Sequence, residues 1–239
     1  MSRRILPLLI SFAVACHVWP GPAWMMQAAA ESGLQTLVAE GERLWRHSAD
    51  PGNPVACATC HRDPAKTRWW AASFPKFKPL PPPHSRVMTL LQANAEAVER
   101  HYRLPDPLAA ATAITAFLTS QGAGVPISPG VSNGQPVFSA RMEELAASVV
   151  RGERLYTSRC GQCHRASTVA PSVTAFPRVV RGRAESLEGF LERHQSLGRR
   201  LAWDGPAMAD LMAYLASQVA GRPVGLPTYQ ASQEAKEGA

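Results

Sequence analysis

Two short stretches carry the residue types that could do chemistry: Cys57-Ala58-Thr59-Cys60-His61 and Cys160-Gly161-Gln162-Cys163-His164. In a Cys-x-x-Cys-His run, two thiols one helical turn apart can add to the vinyl groups of one porphyrin as thioethers. The next residue then aims its imidazole at the iron. His61 and His164 are thus the expected proximal ligands. Cys57, Cys60, Cys160 and Cys163 are the expected attachment points, and the expected cofactors are two covalently bound haem c groups with their iron. A zinc or thioredoxin-like Cys-x-x-Cys is the alternative for a single motif. Two copies, in equivalent places behind an export signal, favour haem. The fifth cysteine, Cys16, lies in that signal, so none remains for a disulfide.

A sixth ligand must come from elsewhere. His101 and His194 occupy matching places, each after Glu-Arg, 40 and 30 residues beyond its proximal His. Both fall near the end of a short predicted helix, and both are read as distal iron ligands. A histidine near a helix end can instead be a surface or capping residue. Met88 is the main rival in the first half. Met208 and Met212 sit four apart on an apolar helical face, which is the usual pattern of core, and Met142 is the other methionine beyond the signal. His47 and His84 lack counterparts in the second half and are read as non-ligating.

These residues are positioned by a chain that repeats itself. Gly41-Glu42-Arg43-Leu44-Trp45 precedes the first motif, and Gly152-Glu153-Arg154-Leu155-Tyr156 precedes the second. Phe74-Pro75-Lys76 matches Phe176-Pro177-Arg178. Ala116-Phe117-Leu118-Thr119-Ser120-Gln121 matches Ala213-Tyr214-Leu215-Ala216-Ser217-Gln218. An internal repeat points to two similar small domains. The expected fold class is all-α, with two tandem class I-like cytochrome c domains. The expected divisions are a signal peptide over 1–30, haem domain 1 over 31–124, a linker over 125–137, haem domain 2 over 138–222 and a flexible tail over 223–239. Apolar spacing predicts helices over 33–48 and 139–158. Asp106-Pro107 and Gly122 bound a terminal helix in the first half, as Asp204-Gly205-Pro206 and Gly221 do in the second. Ile114, Phe117 and Leu118, matched by Leu211, Tyr214 and Leu215, should pack on the N-terminal helix of their own half. Strand patterns are weak.

Arg3 and Arg4, the apolar run Ile5 to Ala15 and Ala28-Ala29-Ala30 read as a Sec-type signal peptide, which places the protein in the periplasm. No later run is apolar enough to span a bilayer. The 239 residues carry a formal charge of +7, which becomes +5 without Arg3 and Arg4 because residues 1–30 hold no acid. Scattered basic residues exclude a nucleic-acid signature but suit docking to acidic redox proteins.

The order of these segments resembles the SoxA-type diheme cytochromes of periplasmic sulfur oxidation. That resemblance implies two class I-like haem domains. It also implies cysteine as the distal ligand, modified at the active haem for thiosulfate chemistry. Here His101 and His194 stand at those places, and no free cysteine exists outside the motifs and the signal. The departure argues against thiosulfate conjugation.

Three functions follow. The first is a diheme electron carrier, or electron-transfer subunit, working between donor and acceptor redox proteins, with both irons bis-His and no catalytic residue. The second is a haem subunit acting on a small sulfur or nitrogen oxyanion or on peroxide, with Arg181, Arg183, Arg199 and Arg200 as an anion patch or else a solvated face. A gas-sensing module ranks last, since no signalling domain is attached.

Overall fold

A computed structural model describes residues 23–80, 85–132, 135–136, 139–164, 176–180, 183–194 and 200–225. Helix dominates. The long helices are α1 (Ala23–Arg46), α5 (Leu90–Tyr102), α6 (Leu108–Gln121), α7 (Ser139–Arg159) and α9 (Pro206–Gln218). Short α2 (Cys57–Cys60), α3 (Pro64–Thr67) and α4 (Trp70–Ser73) follow the first motif. The eight-residue α8 (Leu187–His194) precedes α9. Both N-terminal helices expected from apolar spacing are present, and α1 begins ten residues earlier than expected.

Residues 76–88 and 178–185 depart from a purely helical reading. Lys76–Lys78 (β1) pairs antiparallel with Arg86–Met88 (β2), and Arg178–Val180 (β5) pairs with Arg183–Glu185 (β6). A third ribbon joins Val131–Ser132 (β3) to Gln135–Pro136 (β4). The two longer ribbons begin just after Phe74–Pro75 and Phe176–Pro177, both cis, so the sequence repeat is also a backbone repeat.

Each half is organised around a crossing of its first and last long helices: α1 on α6, and α7 on α9. Leu44 and Trp45 of α1 are buried with Ile114, Phe117 and Leu118 of α6. Tyr156 of α7 is buried with Leu211, Tyr214 and Leu215 of α9. The expected faces therefore do pack on their own N-terminal helices. The crossings need glycine. A Cβ on Gly41 would lie 2.0 Å from the Ala113 carbonyl oxygen, and one on Gly152 would lie 1.9 Å from that of Asp210.

Burial of α6 and α9 is not confined to those faces. Residues Ala110 to Thr119 and Met208 to Ala216 are buried without a break. A helix covered on most sides is largely apolar, and neighbours from the other half complete the cover. The β1–β2 ribbon packs on α7 and α9, placing Val87 and Phe77 against Leu145, Val149 and Ala213. The β5–β6 ribbon packs on α1 and α6 in return. Gln92 donates from Nε2 to the carbonyls of Trp203 (2.9 Å) and Gly205 (3.1 Å), tying α5 to the start of α9.

The halves thus interlock. The expected linker differs from a loose tether where it is described. Val125 and Ile127 are buried, Val224 donates to the Val125 carbonyl, and Gly221 donates to that of Ile127. Val224, expected in the flexible tail, is part of this core. Residues 226–239 and 1–22 lie outside the described residues. A cavity of about 110 Å³ lies along the seam between Phe74-Pro75 and Phe176-Pro177, with Thr89 and Glu188 in its lining. Burial pushes the Glu188 carboxyl above its ordinary value, and a hydrogen bond with Thr89 partly opposes this.

In the second half a polar bridge fixes the helix crossing. The Asp210 carboxylate accepts from Ser148 Oγ at 2.5 Å and from Arg151 Nε and Nη2, each at 2.9 Å. Ser148 is fully buried. Asp210→Ala strips Ser148 of this acceptor and is expected to cost about 1–3 kcal/mol. Thermal unfolding measures it, and an unchanged midpoint would show that the bridge contributes nothing.

Candidate functional site

In the first half, Cys57 opens the one-turn helix α2 and His61 closes it, with the His61 N–H donating to the Cys57 carbonyl at 2.9 Å. Residues 57, 60 and 61, at i, i+3 and i+4, thereby fall on one side of the turn. Cys57 is half-buried, while Cys60 and His61 are exposed. Tyr102 anchors the turn from 45 residues away. Its hydroxyl donates to the Leu44 carbonyl at 2.5 Å, accepts from the Cys57 N–H at 3.3 Å and lies 3.4 Å from Cys57 Sγ. Burial, then the Cys57 contact, raises the Tyr102 hydroxyl above its ordinary value.

The second motif is built the same way without the regular helix. Cys160 follows the last turn of α7, donating to the Tyr156 carbonyl at 2.8 Å. His164 donates its N–H to the Cys160 carbonyl at 2.9 Å, and its own carbonyl accepts from the Tyr156 hydroxyl at 3.3 Å. Cys160 is half-buried and Cys163 exposed. None of these four cysteines is paired in a disulfide. Burial raises both Cys57 and Cys160, only partly offset at Cys160 by the charge of Arg159. A redox or nucleophilic cysteine is normally shifted the other way, towards the thiolate.

The expected distal histidines are placed unequally. His194, at the end of α8, brings its ring to 6.0 Å from that of His164, centroid to centroid, tilted by 38°. Phe190 stacks on His194 at 4.9 Å, and Arg178 lies over Phe190. Arg193 and Arg178 both pair with Glu185 of β6, which ties the last turn of α8 to the ribbon. In the first half, His101 is held by Asn53, which donates from Nδ2 to its carbonyl at 2.6 Å. The His61 ring packs against Trp70 at 4.8 Å and Trp45 at 6.0 Å, with no described ring contact to His101. Partial desolvation, then the charges of Lys78 and His101, hold His61 below the usual imidazole value. The neutral ring, which is the form that ligates a metal, is favoured there.

The rival methionines Met88, Met208 and Met212 are all buried. Met208 and Met212 are buried in the second core, as their spacing predicts for core residues. Met88 is fully buried in β2, directly opposite Lys76. His47 is exposed at the end of α1, and Arg183 and Arg200 are exposed. His84, Arg181 and Arg199 fall outside the described residues. Asn53, Tyr102 and the buried Lys76 escaped sequence reasoning, because each acts through a partner distant in the chain or across a strand pair.

The donor set bears on what each motif can hold. Among the described residues, no three His, Cys, Asp or Glu side chains converge where a bare metal ion would bind. A structural zinc site needs about four protein ligands, whereas a porphyrin brings its own equatorial nitrogens and asks for axial ligands only. Two imidazoles on opposite sides of one metal, with metal–nitrogen bonds of about 2 Å, have centroids roughly 6 Å apart. The His164–His194 separation fits that span.

No family model and no curated protein sequence matches the chain. Among solved structures, the fold is similar to a chain of the crystal structure of SoxXA from P. pantotrophus. The TM-score is 0.62 at 15% identity, covering 81% of this chain and 77% of that one. At that identity the likeness establishes a shared, helix-dominated fold. Among the described residues, no helix is long and apolar enough to cross a membrane.

Proposed function

We propose that this chain is an exported, periplasmic diheme c-type cytochrome that passes single electrons between redox partner proteins. Cys57 and Cys60 hold one haem c and Cys160 and Cys163 the other, with His61 and His164 as proximal ligands. The bound haem supplies a one-electron Fe(III)/Fe(II) couple. The protein's part is to hold the ring edge through two thioethers, orient the imidazoles and exclude solvent with the tryptophan and phenylalanine walls. The observation that carries this reading is the pair of imidazoles, His164 and His194, at axial-ligand spacing in one arm of a duplicated motif. By the repeat, His101 is the partner of His61. Two filled axial positions leave the iron without a substrate site, as suits a carrier.

The mass of the purified chain should show two haems, each lost when its own cysteine pair is changed to serine. Near-infrared magnetic circular dichroism on the ferric protein should give bis-imidazole signals at both irons. A chain without covalent haem would overturn the reading. A thioether signal would reassign the distal ligand to a methionine.

The sequence resemblance to SoxA-type cytochromes, and the fold shared with SoxXA, support a second reading: a haem subunit of an enzyme that oxidises sulfur compounds. Rapid reduction of the haems by thiosulfate, with or without a partner subunit, would favour it over simple carriage.

A further inference from the structure

We propose that Lys76, Lys78 and Arg86 form an anion site, and that its ligand is the carboxylate edge of the haem held at Cys57, Cys60 and His61. This rests on the haem reading above.

The argument begins with the pleat of the β1–β2 ribbon. Side chains alternate across a strand pair. Phe77 and Val87, opposite each other, face the helices of the second half. Lys76, Lys78, Arg86 and Met88 therefore share the other face, with Lys76 opposite Met88 and Lys78 opposite Arg86. That face belongs to the first motif. Lys76 Nζ lies 4.4 Å over the Phe74 ring, and Phe74 is in the same cluster as Trp45, Trp70, Tyr102 and Cys57.

Among the described residues, the face carries three cations and no carboxylate. Lys76 is only 9% exposed and donates to Ser73 Oγ at 2.9 Å, a neutral acceptor. Arg86 Nε is buried without a hydrogen-bond acceptor. Among the described residues, none of the three pairs with a carboxylate. Burial holds Lys76 down to about 8 and depresses Lys78 as well. A buried cation without an anion is costly and calls for a partner.

The other half shows what such a partner looks like. Arg178 stands in register where Lys76 does, and Glu185 stands where Met88 does. Glu185 pairs with Arg178, an ion pair internal to the ribbon. Val180 and Arg183 occupy the places of Lys78 and Arg86. The first ribbon thus has three cations where the second has two cations and a carboxylate, a difference of two charges. Methionine in place of glutamate leaves the first ribbon's cations for a carboxylate from outside the chain. A haem bound at the adjacent motif brings two such groups. The same excess charge favours the reduced iron, so the haem at the first motif has the higher potential and is the first to accept an electron.

Potentiometric titration of the holoprotein tests this. Lys78→Met or Arg86→Met should leave both haems covalently attached by mass, while shifting the reduction equilibrium of one haem towards the oxidised form. The shift should be on the order of tenfold per charge, which is about 59 mV for one electron. The other haem's midpoint should stay. Lys76→Arg should keep the wild-type value. Haem-carboxylate bands in the redox infrared difference spectrum should move in the methionine variants. Unchanged midpoints and bands in both variants, with haem attached, would overturn the proposal. So would a wild-type midpoint that follows added sulfate, because the site would then take an anion from solution. Absence of haem by mass in the wild-type chain would instead remove the reading beneath it.

Discussion

Gly41→Ala is expected to lower the thermal midpoint of the holoprotein by roughly 10 °C, corresponding to about 3 kcal/mol in a chain of this size. The new methyl carbon would lie 2.0 Å from the Ala113 carbonyl oxygen, 2.5 Å from its carbon and 2.9 Å from Phe117 Cβ, where real contacts stay above 3.0 Å. Two of these three atoms are backbone, so no side chain can rotate away. The helices must separate by about 1 Å, and close-packed cores tolerate such separation poorly. Leu44 and Trp45 follow on the same helix. Separation would therefore shift Trp45 relative to His61, at 6.0 Å, and disturb the Leu44 carbonyl that anchors Tyr102. Lower haem incorporation should accompany the lower midpoint. Gly152→Ala should behave alike, since its methyl would meet the Asp210 carbonyl oxygen at 1.9 Å. A midpoint within 2 °C of wild type, the shift expected from less than about 1 kcal/mol, would show that the helices do not cross at this distance.

That crossing was half-legible in the sequence. Gly41 and Gly152 stand out as matched positions in the repeat, and the apolar faces of α6 and α9 follow from spacing. Their burial on every side does not follow from spacing. It depends on ribbons of three residues per strand, rich in lysine and arginine, that reach across to the other half's helices. Three residues are too few for alternation to register. A covering signal was nonetheless present: Leu108 to Gln121 contains no charged residue. A helix with one face on the surface would carry some.

The site divides in the same way. The motifs and their matched histidines are local or periodic features, so the sequence exposes them. The kinship of Met88 with Glu185 is invisible there, because Met88 lies 12 residues after Lys76 but Glu185 lies 7 after Arg178. Only the strand register aligns them. Tyr102 adjoins His101, but its role depends on a hydroxyl that meets residues 45 and 58 positions away.

His194→Gly should leave both haems attached and convert half of the total haem from a six-coordinate low-spin iron to one with an open or water-filled position. The ferrous protein should then bind carbon monoxide at one haem per chain, where the wild type binds none. The reasoning runs through the last turn of α8. His194 faces His164 at 6.0 Å, and its ring is fixed by Phe190 at 4.9 Å and 19°. The backbone there is tied to β6 through Arg193 and Glu185. Glycine at the helix's last residue removes the imidazole without touching that ion pair or the Phe190–Phe176 contact at 5.6 Å. The half should therefore stay folded with a hole the size of one ring. Added imidazole should fill it and restore the low-spin spectrum, a recovery that a merely structural role for His194 would not produce. Carbon monoxide binding equal to wild type, with the spectrum unchanged, would remove His194 from the iron. It would turn attention to Met208 and Met212, both already packed in the same core. The corresponding His101→Gly change tests the first haem independently. If it too opens a site, both irons are six-coordinate through histidine, and the duplicated chain holds two closed centres suited to receiving and passing on one electron at a time.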